Sequence, residues 1–157
     1  MMWKRNKDKS ISIKEENLYN EPSHVDLETV KKAVREFADK APKGITTRVL
    51  VKDDQSIDFD LLKPYLKGIP DKRFYMSKET YEIFEEEDKK IPFYLDMIQN
   101  AVDRYIEMYH KVPITPGDPY LKVNYLLLKK NNLIHEIPEI ELFITEDENL
   151  ITHKRPN

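Results

Sequence analysis

Apolar residues recur along this chain at helical spacing in some stretches and gather in β-prone runs in others, and these patterns divide it into elements. Leu27, Val30, Val34, Phe37 and Ala41 are spaced three or four apart, one stripe of a helix. Asp26 stands where its carboxylate can accept from the free N–H groups of the first turn, and Val25 can pack on Val30 across it. Pro42 and Gly44 end that helix. A longer stripe follows Ile91-Pro92: Tyr94, Leu95, Ile98, Ala101, Val102, Tyr105, Ile106 and Tyr109. It predicts a helix of about four to five turns with the proline in its first turn. Tyr120 to Asn132 is apolar nearly all round and is preceded by Asp118-Pro119, a cap and a first-turn residue, which predicts a further, well-buried helix. Shorter helices are expected over Asp60 to Leu66 and from Ser77, where Ser77 is placed as a cap and Met76 and Tyr81 fit the staple positions.

The other signal is runs of β-prone residues. Ile45 to Val51 is rich in β-branched residues and reads as a strand, and Lys72 to Met76 as a short one. Ile140 to Thr145 and Leu150 to Lys154 flank the turn Glu146-Asp147-Glu148-Asn149 and predict a terminal hairpin. This order lacks the regular alternation of a doubly wound sheet. It predicts an α+β fold, several amphipathic helices around a small sheet with a C-terminal β-hairpin. Residues 1–24 hold no sustained period and read as a flexible basic N-terminal arm; residues 25–157 read as a single globular domain.

Composition sharpens this picture. A chain of 157 residues with 39 % hydrophobic and 35 % charged positions can bury a core while staying polar outside. No stretch approaches the ~18 continuous apolar residues of a membrane span. Met1 to Lys7 is basic like the start of a signal peptide, but Asp8, Lys9, Lys14, Glu15 and Glu16 occupy the place of its apolar core. The absence of cysteine excludes disulfides and thiolate chemistry. Together these features predict a cytoplasmic protein. The net charge of −3 hides a gradient, since residues 1–9 carry four bases and one acid whereas Glu79 to Asp88 and Glu136 to Glu148 are acidic. A phosphate backbone would be repelled by that body. At most a weak peripheral membrane contact is expected, with Trp3 at the interface and Lys4, Arg5, Lys7 and Lys9 on anionic lipid.

No local motif announces a reaction. The three glycines, Gly44, Gly68 and Gly117, are isolated, so phosphate-cradling loops are absent. None of Ser10, Ser12, Ser23, Ser56 and Ser77 lies in a nucleophile elbow. Glu82, Glu85, Glu86 and Asp88 offer oxygen ligands, and Glu82 and Glu86 would share a helical face, yet no histidine motif accompanies them. His24, His110, His135 and His153 are scattered, and His110 suits a helix C-terminus. No catalytic residue, metal ligand or cofactor is therefore assigned. The loop Thr115 to Pro119 is the best place for a binding surface, and Asp118, Tyr120 and Asn124 are its candidate binding residues.

The segments Leu50-Val51-Lys52-Asp53-Asp54 and Ile69 to Thr80, with the ending Phe143 to His153, resemble a family of small uncharacterised proteins from Bacillus-type Gram-positive bacteria. The resemblance covers roughly residues 26–156. It implies a cytoplasmic bacterial protein with no assigned activity, and it carries over no site residues. The function expected from the residues is a non-enzymatic module that binds a protein partner or a small ligand. Two alternatives stand beside it: an enzyme or metal protein using dispersed carboxylates and histidines, and a winged-helix-like nucleic-acid binder built on the helix from Tyr120 and the hairpin.

Overall fold

Asp26 acts as its position predicts. Its carboxylate accepts from the Thr29 N–H at 2.8 Å, and helix α1 runs over Leu27–Lys40 in the computed structural model, which describes residues 22–156. Val25 and Val30 are both buried, consistent with the staple across the first turn. The described chain divides into two compact units: the first takes the chain up to Met76 together with Ile83–Glu87, the second takes Ser77–Glu82 and the chain from Asp88.

In the first unit, α1 buries Val30, Ala33 and Val34 in a core with Leu50, Leu62, Phe74 and Met76. Two short strands, β1 (Pro22–Ser23) and β2 (Ile69–Pro70), pair in parallel. The strand expected over Ile45 to Val51 is instead a single 3-10 turn, Thr47–Leu50. The Thr46 hydroxyl accepts from the Arg48 N–H at 3.3 Å, and this local bond competes with a strand ladder. Only Val51 at its end forms a bridge, to Ile57. The helix expected over Asp60 to Leu66 shortens to α2 (Phe59–Leu62) and a 3-10 turn, Lys63–Tyr65, around Pro64.

The helix expected from Ser77 is overturned. Strand β3 (Phe74–Met76) pairs antiparallel with β4 (Ile83–Glu85), so the chain between them is a hairpin connection. Ser77 does cap a turn, its hydroxyl accepting from the Thr80 N–H at 2.9 Å. Tyr81 then takes a left-handed φ of 64°, which reverses the chain after one turn.

The second unit is built on α3 (Lys90–Tyr109), whose buried Tyr94, Leu95, Ile98, Ala101, Val102 and Tyr105 are the predicted stripe. Pro92 sits in its first turn, and His110 ends it at a left-handed φ of 56°. The helix expected over Tyr120 to Asn132 is corrected to α4 (Tyr125–Lys130). Leu121 is left-handed, the Val123 N–H donates to the Leu142 carbonyl at 2.9 Å and the Ile144 N–H to the Leu121 carbonyl at 3.0 Å. The first part of that apolar run thus lies alongside the C-terminal hairpin. The hairpin itself forms as expected from β5 (Phe143–Ile144) and β6 (Ile151–Thr152).

The fold is α+β with a C-terminal hairpin, and the expected small sheet is three two-stranded pairs. Residues 1–21, which hold nearly all of the predicted arm and its Trp3 tether, lie outside the described residues. Among the described residues no helix is long and apolar enough to cross a membrane.

Two carboxylates of the first unit set an acid limit. Hydrogen bonds from the Thr29 hydroxyl and N–H hold the Asp26 carboxyl below its usual range, and those from the Ser56 hydroxyl and N–H do the same for Asp54. A depressed folded-state value stabilises the fold above the ordinary 3.8, and that contribution disappears as pH falls through the folded value. Denaturant titrations of the double variant Asp26→Asn, Asp54→Asn should show a smaller loss of stability on acidification than the parent chain. Equal losses would contradict this assignment.

Candidate functional site

Helix α3 carries two polar side chains that fix the surroundings of one cleft. Gln99 lies on its buried face and is only 3 % exposed. Its Oε1 accepts from the Ile151 N–H at 2.9 Å, while Nε2 donates to the Asn149 carbonyl at 3.1 Å and to Asp103 Oδ1 at 3.0 Å. One amide thereby ties strand β6 and the preceding turn to the helix. Asp96, one turn earlier, accepts from the Ser77 hydroxyl and from the N–H groups of Lys78 (3.0 Å) and Glu79 (3.1 Å). A carboxylate receiving several donors is a strong local anchor, and this one holds the segment that presents Glu82.

Beyond β6 the chain continues through His153 and Arg155. With Ile91, Ile140, Glu141 and Phe143 these two line a shallow cleft of about 470 Å³, within the usual ~300–1,000 Å³ of ligand sites. His153 Nδ1 lies 3.2 Å from Glu82 Oε2, and Glu141 lies 3.7 Å from Lys122 Nζ. The Arg155 guanidinium sits over the Tyr120 ring, 4.5 Å from its centroid, in a cation–π contact. The Tyr125 hydroxyl donates to the Ile140 carbonyl at 2.8 Å and pins that wall. Burial pushes the Tyr125 hydroxyl well above its ordinary value; a hydrogen bond with the Leu142 backbone opposes this and the nearby Glu141 charge adds to it. Arg155 and Tyr120 form one rim, the hairpin's Ile140 and Phe143 part of the apolar floor.

The structure places the three predicted binding residues differently from one another. Asp118 Oδ1 accepts from the Tyr120 N–H at 2.8 Å, closing its own turn. Asn124 Oδ1 accepts from the Leu127 N–H at 3.1 Å and is the N-cap of α4. Tyr120 adjoins the cleft through Arg155. The carboxylates expected to share a helical face do not lie on one helix: Glu82 is in the connection, Glu85 at the end of β4, and Glu86 and Asp88 in the 3-10 turn Glu86–Asp88. Among the described residues no three His, Asp or Glu side chains converge as a metal site would require. Of the histidines, His110 caps α3 and His153 enters the cleft.

Glu141, His153 and Arg155 were not singled out by sequence reasoning. No local pattern marks them, because the strand ends at Thr152 and the chain bends at 153 and 154 before reaching Arg155. Glu82 meets His153 from 71 positions away, counted as 153 minus 82, and no local pattern reports such a meeting.

A family model described as a protein of unknown function, DUF3939, matches residues 20–153. The chain belongs to the DUF3939 family. The resemblance to an uncharacterised family therefore holds, and the matched span runs from before α1 to the end of the hairpin. It includes Glu82, Tyr120, Glu141 and His153, while Arg155 lies just past its end. No curated protein and no solved structure matches the chain. The DUF3939 assignment brings no activity with it, so the cleft is read from its own chemistry.

Two measurements test this construction. Gln99→Leu leaves the Ile151 N–H without its acceptor and should cost about 1–3 kcal/mol, with faster amide exchange at Ile151. Unchanged exchange there would show that Gln99 does not hold the hairpin. The raised Tyr125 value means that the folded chain keeps a proton the unfolded chain releases, so stability should fall as pH rises above 10.0. Tyr125→Phe should flatten that alkaline limb in urea titrations.

Proposed function

We propose that this DUF3939 protein is a non-enzymatic binding module whose site is the cleft between the C-terminal hairpin and the start of α3. The observation that carries the reading is the convergence of three ionisable side chains, Glu141, His153 and Arg155, over an apolar floor of Ile91, Ile140 and Phe143. Apolar walls supply burial for a ligand and a few placed polar groups orient it. The amide network of Gln99 and the Asp96 anchor support the same reading. They hold the walls in place before any ligand arrives, which lowers the ordering cost of binding.

The polar groups of the site are engaged in recognition-type contacts. His153 pairs with Glu82, Glu141 with Lys122, and Arg155 stacks on Tyr120. A small ligand rather than a protein face fits the dimensions, because about 470 Å³ accommodates a compact molecule whereas standard protein interfaces bury roughly 800 Å² on each partner.

A fragment screen read by amide chemical shifts of the full chain tests the reading. Hits should move the resonances of Ile140, Phe143, His153 and Arg155 together, and Ile140→Asp should abolish those shifts while leaving the Tm of the chain close to that of the parent. Hits that cluster elsewhere, or shifts that survive Ile140→Asp, would refute it.

A further inference from the structure

We infer that the ligand of this cleft is a small amphipathic carboxylate, an apolar body bearing a single negative charge. The inference rests on the reading of the cleft as a binding site and adds the chemical class of its occupant.

The charge balance of the cleft carries it. Glu141, His153 and Arg155 line the cleft, and Lys122 and Glu82 stand beside the first two. Lys122 and Glu141 form an ion pair at 3.7 Å, and Glu82 faces His153 Nδ1 at 3.2 Å, so each of these four side chains has a polar partner beside it. Arg155 is different. Among the described residues it has no carboxylate within ion-pair distance, and its contact is with the uncharged Tyr120 ring. A guanidinium is always protonated, presents a flat fork of N–H donors and is weakly hydrated, which makes it the side chain best suited to grip a carboxylate with two parallel bonds. The contact with the Tyr120 ring supplies no anion to the guanidinium and reduces the rotamer freedom lost on binding. One uncommitted positive charge matches one negative charge, which favours a carboxylate over the dianion of a phosphate monoester.

The remainder of the lining defines the rest of the molecule. The half-buried Ile91 and Ile140 offer apolar surface, backed by the buried Phe143, which is seated by its pairing with Thr152. A hydrated, wholly polar anion would gain nothing from that floor, and a wholly apolar molecule would leave Arg155 unused. An acyl or aryl acid uses both.

The test compares octanoate, octanol, octylamine and octyl phosphate, four molecules with one apolar body and different heads. Each is titrated into the full chain and into Arg155→Gln, and binding is followed by the amide shifts of Ile140, Phe143 and His153. Arg155 is exposed, so the variant should keep the parent Tm, and that is checked first. Octanoate should bind most tightly, and Arg155→Gln should weaken it about tenfold or more, the scale of a lost charge-assisted bond, while leaving octanol unchanged. Equal binding of octanol and octanoate at these resonances would keep the cleft as a site and overturn the carboxylate. Tighter binding of octyl phosphate or octylamine would also overturn it. If none of the four moves the cleft resonances, the binding reading itself falls.

Discussion

A single buried amide, that of Gln99, ties the C-terminal hairpin to helix α3. A glutamine side chain in a core is costly unless its donors and acceptor are satisfied, and here all of its contacts go to the hairpin or to its own helix. The Ile151 N–H and the Asn149 carbonyl are backbone groups, so the bond fixes the main chain of β6 itself. Short strands specify pairing weakly, so this bond acts together with the main-chain bonds of Val123 to Leu142 and of Ile144 to Leu121 in seating the hairpin. Once β6 is fixed, the chain bends at 153 and 154, with the Lys154 N–H donating to the Thr152 hydroxyl, and brings His153 and Arg155 to the cleft.

The helices of the chain were legible in proportion to their length. α3 repeats its apolar stripe over 20 residues, and α1 adds a cap that satisfies an N–H of its first turn. The misread elements share a cause: a real local signal that does not propagate. Ser77 caps a turn as its sequence suggests, but the next N–H groups go to Asp96 and Tyr81 reverses the chain. Thr46 likewise caps, and thereby turns a β-branched run into one 3-10 turn. In the run from Tyr120 two caps compete. Asp118 closes a turn and Asn124 starts the helix, while the residues between them bond to Leu142 and Ile144. Each outcome depends on a partner distant in sequence, which a local reading does not contain.

The candidate site was legible to a smaller extent. Tyr120 was selected for its exposure on a rigid loop, and it adjoins the cleft. Asp118 and Asn124 were selected for the same loop, yet their side chains serve the backbone, the commonest use of Asp and Asn beside a helix start. Arg155 and Glu141 looked like ordinary surface charges. Their significance comes from which charges lie opposite them, a property of the folded chain and not of the sequence.

The two kinds of polar contact around the cleft divide the labour. The amide and carboxylate bonds of Gln99 and Asp96 engage main-chain groups, and such bonds hold shape because breaking one strands a partner. The ion pairs of Glu82 with His153 and Glu141 with Lys122 are partly solvated, and pairs of that kind contribute only about 0–1 kcal/mol. They therefore do little to hold the fold, and they engage the carboxylates beside the cleft, Glu141 with the Lys122 ammonium and Glu82 with the His153 ring. Rigidity and charge selection are thus carried by different residues. The lining charges can consequently be exchanged by substitution without unfolding the walls, and the cleft's chemistry is separable from the stability of the unit that carries it.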